Sequence, residues 1–249
     1  MAEKSTNTPY VELRDITHDY GRIRALDGVN FEILPNEIVG LVGDNGAGKS
    51  TLIKILSGII RPTLGEIFIQ GKRTRFESSR DAMANGIETI YQDMNLIDVM
   101  DIMRNIFFGR EETTRLGFLK IRGMRQMAMD ILEKEITIEG IRSPKQIVAN
   151  LSGGQKQAVA IARAMFFKKK VLLLDEPTSA LSVRETQAFL DHIAHLKDQG
   201  MSVVIVTHNL YHAYQVADRF VILSHGKKIA DTKRNDTSAE ALTRIIVAH

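Results

Sequence analysis

The stretch Gly43-Asp-Asn-Gly-Ala-Gly-Lys-Ser-Thr51 constrains this chain more than any other. It follows Ile38-Val-Gly-Leu-Val42, which carries no polar side chain, and Lys49 to Leu56 then reads as a helix. A short strand apolar on both faces belongs inside a covered sheet. A glycine-rich loop leaving such a strand lets backbone N–H groups turn inward around an anion. The helix start adds partial positive charge, Lys49 adds a full one, and the Ser50 hydroxyl is a hard oxygen suited to Mg²⁺. The spacing G-x-x-x-x-G-K-[ST] in a strand–loop–helix context is a phosphate-binding pattern. Gly43, Asp44, Asn45, Gly46, Ala47, Gly48, Lys49, Ser50 and Thr51 are therefore the candidate cradle.

Further buried strands are expected at Val171-Leu-Leu-Leu174 and at 202–206, separated from the first by helical stretches. That alternation argues for an α/β core with a parallel sheet. Val11-Glu-Leu13, Val29-Asn-Phe-Glu-Ile33 and Glu66-Ile-Phe-Ile-Gln-Gly71 alternate apolar and polar instead, so they read as a half-buried antiparallel layer. The second buried strand ends in Asp175-Glu176. Carboxylates at a strand's C-terminal end face the ligand crevice of such a sheet. Asp175 is placed to hold a metal ion and Glu176 to polarise an attacking water.

Composition removes several alternatives. There are no cysteines, which excludes disulfides, thiolate catalysis and Cys-ligated metals. Lys and Arg number 33 against 30 Asp and Glu, a balance that gives no argument for nucleic acid as a partner. No apolar run approaches the roughly 20 residues that span a bilayer. Residues 1–9 are polar and read as a flexible leader without a signal-peptide core. The segment at about 93–150 is rich in Met and contains a helical pattern from Arg122 to Glu135, which marks a helical insertion with Met as adaptable core filling.

Leu151-Ser-Gly-Gly-Gln155 precedes a further helical stretch, Lys156 to Phe167, between the phosphate loop and the acidic strand end. With those motifs in that order, the chain resembles the ATP-binding cassette family from about Tyr10 to Ile229. The resemblance implies a P-loop NTPase (RecA-like) α/β core with an antiparallel β layer and a helical family-specific subdomain. It places the core at about 10–92 and 155–230, the helical subdomain at about 93–154 and a short tail at 231–249. It further implies that Tyr20 stacks on adenine, that Gln92 contacts Mg²⁺ or the water, and that His208 acts as the switch histidine that holds the geometry. Ser50, Gln92 and Asp175 are then the metal set and Mg²⁺ the cofactor. Ser179-Ala-Leu181-Ser182 resembles the D-loop, with Ser182 where the family commonly has Asp.

Members of the family form head-to-tail nucleotide sandwiches. Ser152, Gly153, Gly154 and Gln155 are therefore expected to meet ATP held by a second cassette, Ser152 through its hydroxyl and the glycines through unobstructed N–H groups. The segments 88–110 and 176–186 resemble ATPases of bacterial monosaccharide importers of the ribose, xylose and fructose type. That resemblance implies peripheral attachment at the cytoplasmic face of the inner membrane, permease subunits as partners and, through them, a sugar-binding protein. Ile97, Val99, Met100 and Ile102 are either docking candidates in the segment that meets the permease or core of the helical insertion, and Arg104 stands where Glu is common. The alternative is a soluble single-cassette ATPase of a cytosolic assembly scaffold, against which the sugar-type segments argue.

Overall fold

A computed structural model describes residues 8–91, 96–134, 141–179 and 181–248. The elements run β1 (Val11–Tyr20), β2 (Ile23–Ile33), β3 (Ile38–Val42), α1 (Lys49–Leu56), β4 (Leu64–Ile69), β5 (Lys72–Thr74), α2 (Ser79–Ala84) and β6 (Ile87–Ile90). Next come α3 (Ile102–Phe107), α4 (Ile121–Lys134), α5 (Gly153–Phe166), β7 (Val171–Asp175), α6 (Val183–Asp198), β8 (Ser202–Val206), α7 (Leu210–Val216), β9 (Arg219–Ser224), β10 (Lys227–Lys233) and α8 (Ala239–Val247). By their contacts they divide into two units. The first comprises residues up to Thr89, Lys170–Glu176 and Ile193 onward, and the second Ile90–Lys169 and Pro177–His192.

The first unit holds both sheets. A six-stranded sheet has the order β10-β9-β3-β8-β7-β6, and a four-stranded one has the order β2-β1-β4-β5. The strand β3 lies parallel to β8 and β9, and β7 lies parallel to β8. All five residues of β3 and of β8 are buried, which is what a strand covered on both faces requires. The four-stranded sheet is antiparallel, as the alternation in β1, β2 and β4 predicts. One guanidinium ties the two sheets. Arg219 in β9 bonds Glu37 at 2.7 Å, the Glu32 carbonyl of β2 at 2.8 Å and Asp231 of β10 at 3.0 Å.

The second unit is helical, with one face of α3, α4 and α5 filling its core through Ile102, Ile106, Phe107, Met124, Ala128 and Val159. Phe107 packs edge-on to Phe166 at 4.7 Å between centroids, a favoured aromatic geometry. Asn105 is buried and pins the preceding loop, accepting from the Ile97 N–H at 2.7 Å and donating to the Asp101 carbonyl at 3.0 Å.

Several expectations shift. The chain returns to the sheet-bearing unit at Lys170, later than about 155, because α5 packs with α3 and α4. The helix expected from Lys156 begins at Gly153, because Ser152 caps it. The end of the chain carries β10 and α8, structure that the short tail at 231–249 did not foresee. Met103 and Met124 are buried as core filling, while Met100, Met127 and Met129 are half-buried; Met94 lies outside the described residues. Of the docking candidates, Ile102 is fully buried and belongs to the core, whereas Val99 is 81% exposed.

Candidate nucleotide site

The phosphate loop sits between β3 and α1 as its sequence predicts. Gly48 caps α1 with φ 104°, a conformation that β-carbons disfavour, and no side chain caps the first turn. A β-carbon at Gly48 would lie 2.7 Å from the Ala25 carbonyl and from Leu26 Cδ2, so space and backbone both demand glycine. The first-turn N–H groups thus stay available to an anion. Lys49 is buried, and its ammonium folds back on its own loop, donating to the carbonyls of Gly43 at 2.7 Å and Asp44 at 2.9 Å. Burial pushes the Lys49 pKa down, opposed by Glu176, Asp44 and Asp175. Bringing phosphate oxygens to this ammonium would supply the negative partner that burial makes it lack.

A cavity of about 260 Å³ lies over this loop, lined by Ala25, residues 45–51, Asp175, Glu176 and Val206. It brings the two acids predicted at the end of β7 together with Lys49, Ser50 and Thr51. Burial pushes the Asp175 carboxyl up, with the neighbouring Glu176 adding to the effect and Lys49 opposing it. Two carboxylates crowded in this way favour a bound cation. Among the described residues no cluster of three His, Asp, Glu or Cys side chains could hold a metal by itself. Ser50 and Asp175 each present a hard oxygen to this cavity.

Glu176 has φ 50°, left-handed backbone for a residue with a side chain. Such a conformation costs about 1–3 kcal/mol and persists only where surrounding structure enforces it. Its N–H donates to the Val206 carbonyl at 2.9 Å. One carboxylate oxygen accepts from the His208 backbone N–H at 3.1 Å, and the other lies 2.9 Å from His208 Nδ1. His208 follows the end of β8, just before α7, whose N-cap Asn209 accepts from the His212 N–H. The sequence-predicted pair Glu176 and His208 is thus in direct contact. His208 also lines a second cavity with Gly43, Asp44 and Asn45.

The signature residues lie in the second unit. Ser152 is the N-cap of α5, and its Oγ accepts from the Gln155 N–H at 3.3 Å. Gln155 Oε1 returns the bond to the Ser152 N–H at 2.9 Å. This reciprocal capping box was legible as S-x-x-Q but is not part of the family reading, which assigned Gln155 to the partner's nucleotide. The glycine N–H groups are not both unobstructed: Gly154 donates to Glu185 Oε1 at 3.3 Å. Sequence reasoning gave Glu185 no role, although S-x-x-E at 182–185 carries the same capping signal.

Tyr20 closes β1, is 45% exposed and packs edge-on to His18, but it is not among the residues lining the phosphate-loop cavity. Gln92 lies outside the described residues.

The ABC transporter family pattern matches residues 26–179. The xylose/arabinose import ATP-binding protein of Sulfolobus acidocaldarius is 46% identical over 96% of this chain and 94% of its own length. The fructose import ATP-binding protein of Rhizobium meliloti is 39% identical over 89% and 87%. Against a ribose import ATP-binding protein of Bacillus subtilis, 34% identical, the chain spans 48% of the relative's length. A dimeric ATP-binding cassette solved with ADP and phosphate after hydrolysis is 29% identical, with a TM-score of 0.75 over 90% of this chain and 98% of that one. A nucleotide-free cassette at 21% identity and a TM-score of 0.79 shares the fold. With the phosphate loop, the acidic strand end and the signature helix in their expected places, the chain belongs to the ABC transporter family as one of its ATP-binding cassettes.

Proposed function

We propose that this chain binds and hydrolyses ATP as the motor subunit of a monosaccharide importer, working head-to-tail with a second cassette beneath permease subunits at the cytoplasmic face of the membrane. Among the described residues no helix is long and apolar enough to cross a bilayer. The sugar class rests on the 46% identity to a xylose/arabinose import protein over nearly all of both chains.

The observation that carries the chemistry is Glu176, forced into left-handed backbone and held by His208 beside the phosphate loop. The N–H groups of the loop and Lys49 cradle the β- and γ-phosphates. Ser50 and Asp175, with Gln92 by resemblance, would hold Mg²⁺, which would supply positive charge to the phosphate oxygens. Tyr20 stacks on adenine. Glu176 orients a water in line with the γ-phosphorus and takes its proton, while His208 fixes the carboxylate's direction. Ser152, Gly153 and Gly154 meet the γ-phosphate held by the second cassette.

The test is Glu176→Gln in the intact importer. Turnover is expected to fall by about 10²–10⁴-fold, with ATP still bound and cassette dimers accumulating. Near-normal turnover would remove Glu176 from the mechanism. Stimulation of the parent ATPase by sugar-binding protein loaded with xylose, arabinose, ribose or fructose identifies the sugar, and a protein that copurifies with no permease would sink the importer reading.

A further inference from the structure

The carboxylate of Glu185 stands where two helices begin. It lies in the first turn of α6 and closes a reciprocal cap with Ser182. Glu185 Oε2 accepts from the Ser182 N–H at 3.1 Å and its hydroxyl at 2.8 Å, and Ser182 Oγ accepts from the Glu185 N–H at 3.4 Å. Its other oxygen reaches α5, accepting the Gly154 N–H at 3.3 Å. The fit is close: a β-carbon on Gly154 would lie 3.2 Å from Glu185 Cγ. Ser182 stands where the family commonly has Asp, and here the negative charge at the start of α6 is supplied three residues later by a longer side chain. That length lets it reach α5.

The donor occupied by Glu185 is one that the signature would offer to the partner's nucleotide. Ser152 and Gly154 supply a hydroxyl and a first-turn N–H at the positive end of α5, an arrangement that suits any anion. The Ser182 hydroxyl and N–H foremost, with the Gly154 N–H adding to them, pull the Glu185 pKa down to about 2, so it is anionic at any ordinary pH. We propose that Glu185 is a built-in placeholder for the γ-phosphate, holding the signature's Gly154 N–H until nucleotide on the second cassette displaces it. A cavity of about 470 Å³ beside it, floored by Ala158, Ile161, Ala188 and Phe189, gives the side chain room to withdraw. Because the same carboxylate caps α6 through Ser182, its release from α5 changes the hold on the segment after residues 179–182. Engagement of the signature is thereby reported to Ser182 at the start of α6 within one chain.

The proposal rests on the head-to-tail reading above, and the experiment separates the two. ATP-driven dimerisation is followed by light scattering for Glu176→Gln protein, and for the same protein carrying Glu185→Gln or Glu185→Asp. The Gln variant keeps the shape and loses the charge. The Asp variant keeps the charge and the α6 cap but not the reach, which guards against misfolding as the explanation. A placeholder opposes the incoming phosphate, so both variants should lower the ATP concentration for half-maximal dimerisation, by about tenfold for one charged hydrogen bond. A residue that merely braced the signature would shift it upward. An unchanged or raised half-saturation in both variants overturns the placeholder while leaving the sandwich intact. Failure of the Glu176→Gln parent to dimerise with ATP overturns the sandwich, and the placeholder with it.

Discussion

The starts of α1 and α5 present the same backbone chemistry, a first turn of N–H groups with no helical partner, and the protein treats them in opposite ways. At α1 a cap is withheld: Gly48 has no side chain, and its left-handed backbone opens the turn. At α5 the turn is closed twice, by the Ser152–Gln155 box and by Glu185 reaching across from α6. The uncapped end belongs to the unit whose loop retains its own cation, Lys49, so an anion arrives at a site already biased toward it. The capped end has no such cation among these contacts and is completed by an internal anion instead. An uncapped helix start leaves its N–H groups to water or to a ligand, whereas at a capped one any ligand must compete with the cap.

The comparison can be broken from either side. The largest effect is expected at α1: Lys49→Ala should lower ATP turnover by about 10²–10³-fold, the scale for losing a preorganised charged donor, measured as steady-state phosphate release. Gly48→Ala comes next. A side chain in left-handed backbone costs about 1–2 kcal/mol, and the 2.7 Å approach to the Ala25 carbonyl adds to it. Nucleotide affinity by isothermal titration should fall by at least about tenfold; a normal affinity would mean the loop relaxes without its glycine. At α5, Ser152→Ala should reduce stability by about 1 kcal/mol, the ordinary worth of an N-cap, read from the urea midpoint. An unchanged midpoint would say that this end is not held by its own cap.

The smallest effect tests Glu185 by pH. Its folded pKa, about 2, lies below the ordinary 4.5, so its contribution to stability is complete above about pH 4.5 and fades as pH falls toward 2. The stability gap between the parent and Glu185→Gln should therefore narrow over that window. A gap independent of pH would mean that the bonds to Ser182 and Gly154 do not depend on charge.

Much of the phosphate-loop side was legible because its parts are contiguous. A buried strand, a glycine loop and a helix lie within residues 38–56, and each is dictated by local side-chain pattern. The order of motifs likewise singled out Glu176 and His208, and the structure adds that they meet at 2.9 Å. The capping box at α5 is equally local, a Ser and a Gln three residues apart at 152 and 155.

What the sequence determined by itself is the set of local devices: buried strands for the parallel sheet, alternating ones for the antiparallel layer, the glycine turn, the acids at the end of β7 and the signature before its helix. Tertiary structure alone decided which of those devices face each other. Glu185 meets Gly154 across 31 residues, and Arg219 joins Glu37 across 182. No periodicity or spacing encodes such pairs. A carboxylate in a first turn satisfies its own helix equally well whether or not a second helix lies within reach, and a buried arginine is tolerable only once folding has brought its acids to it.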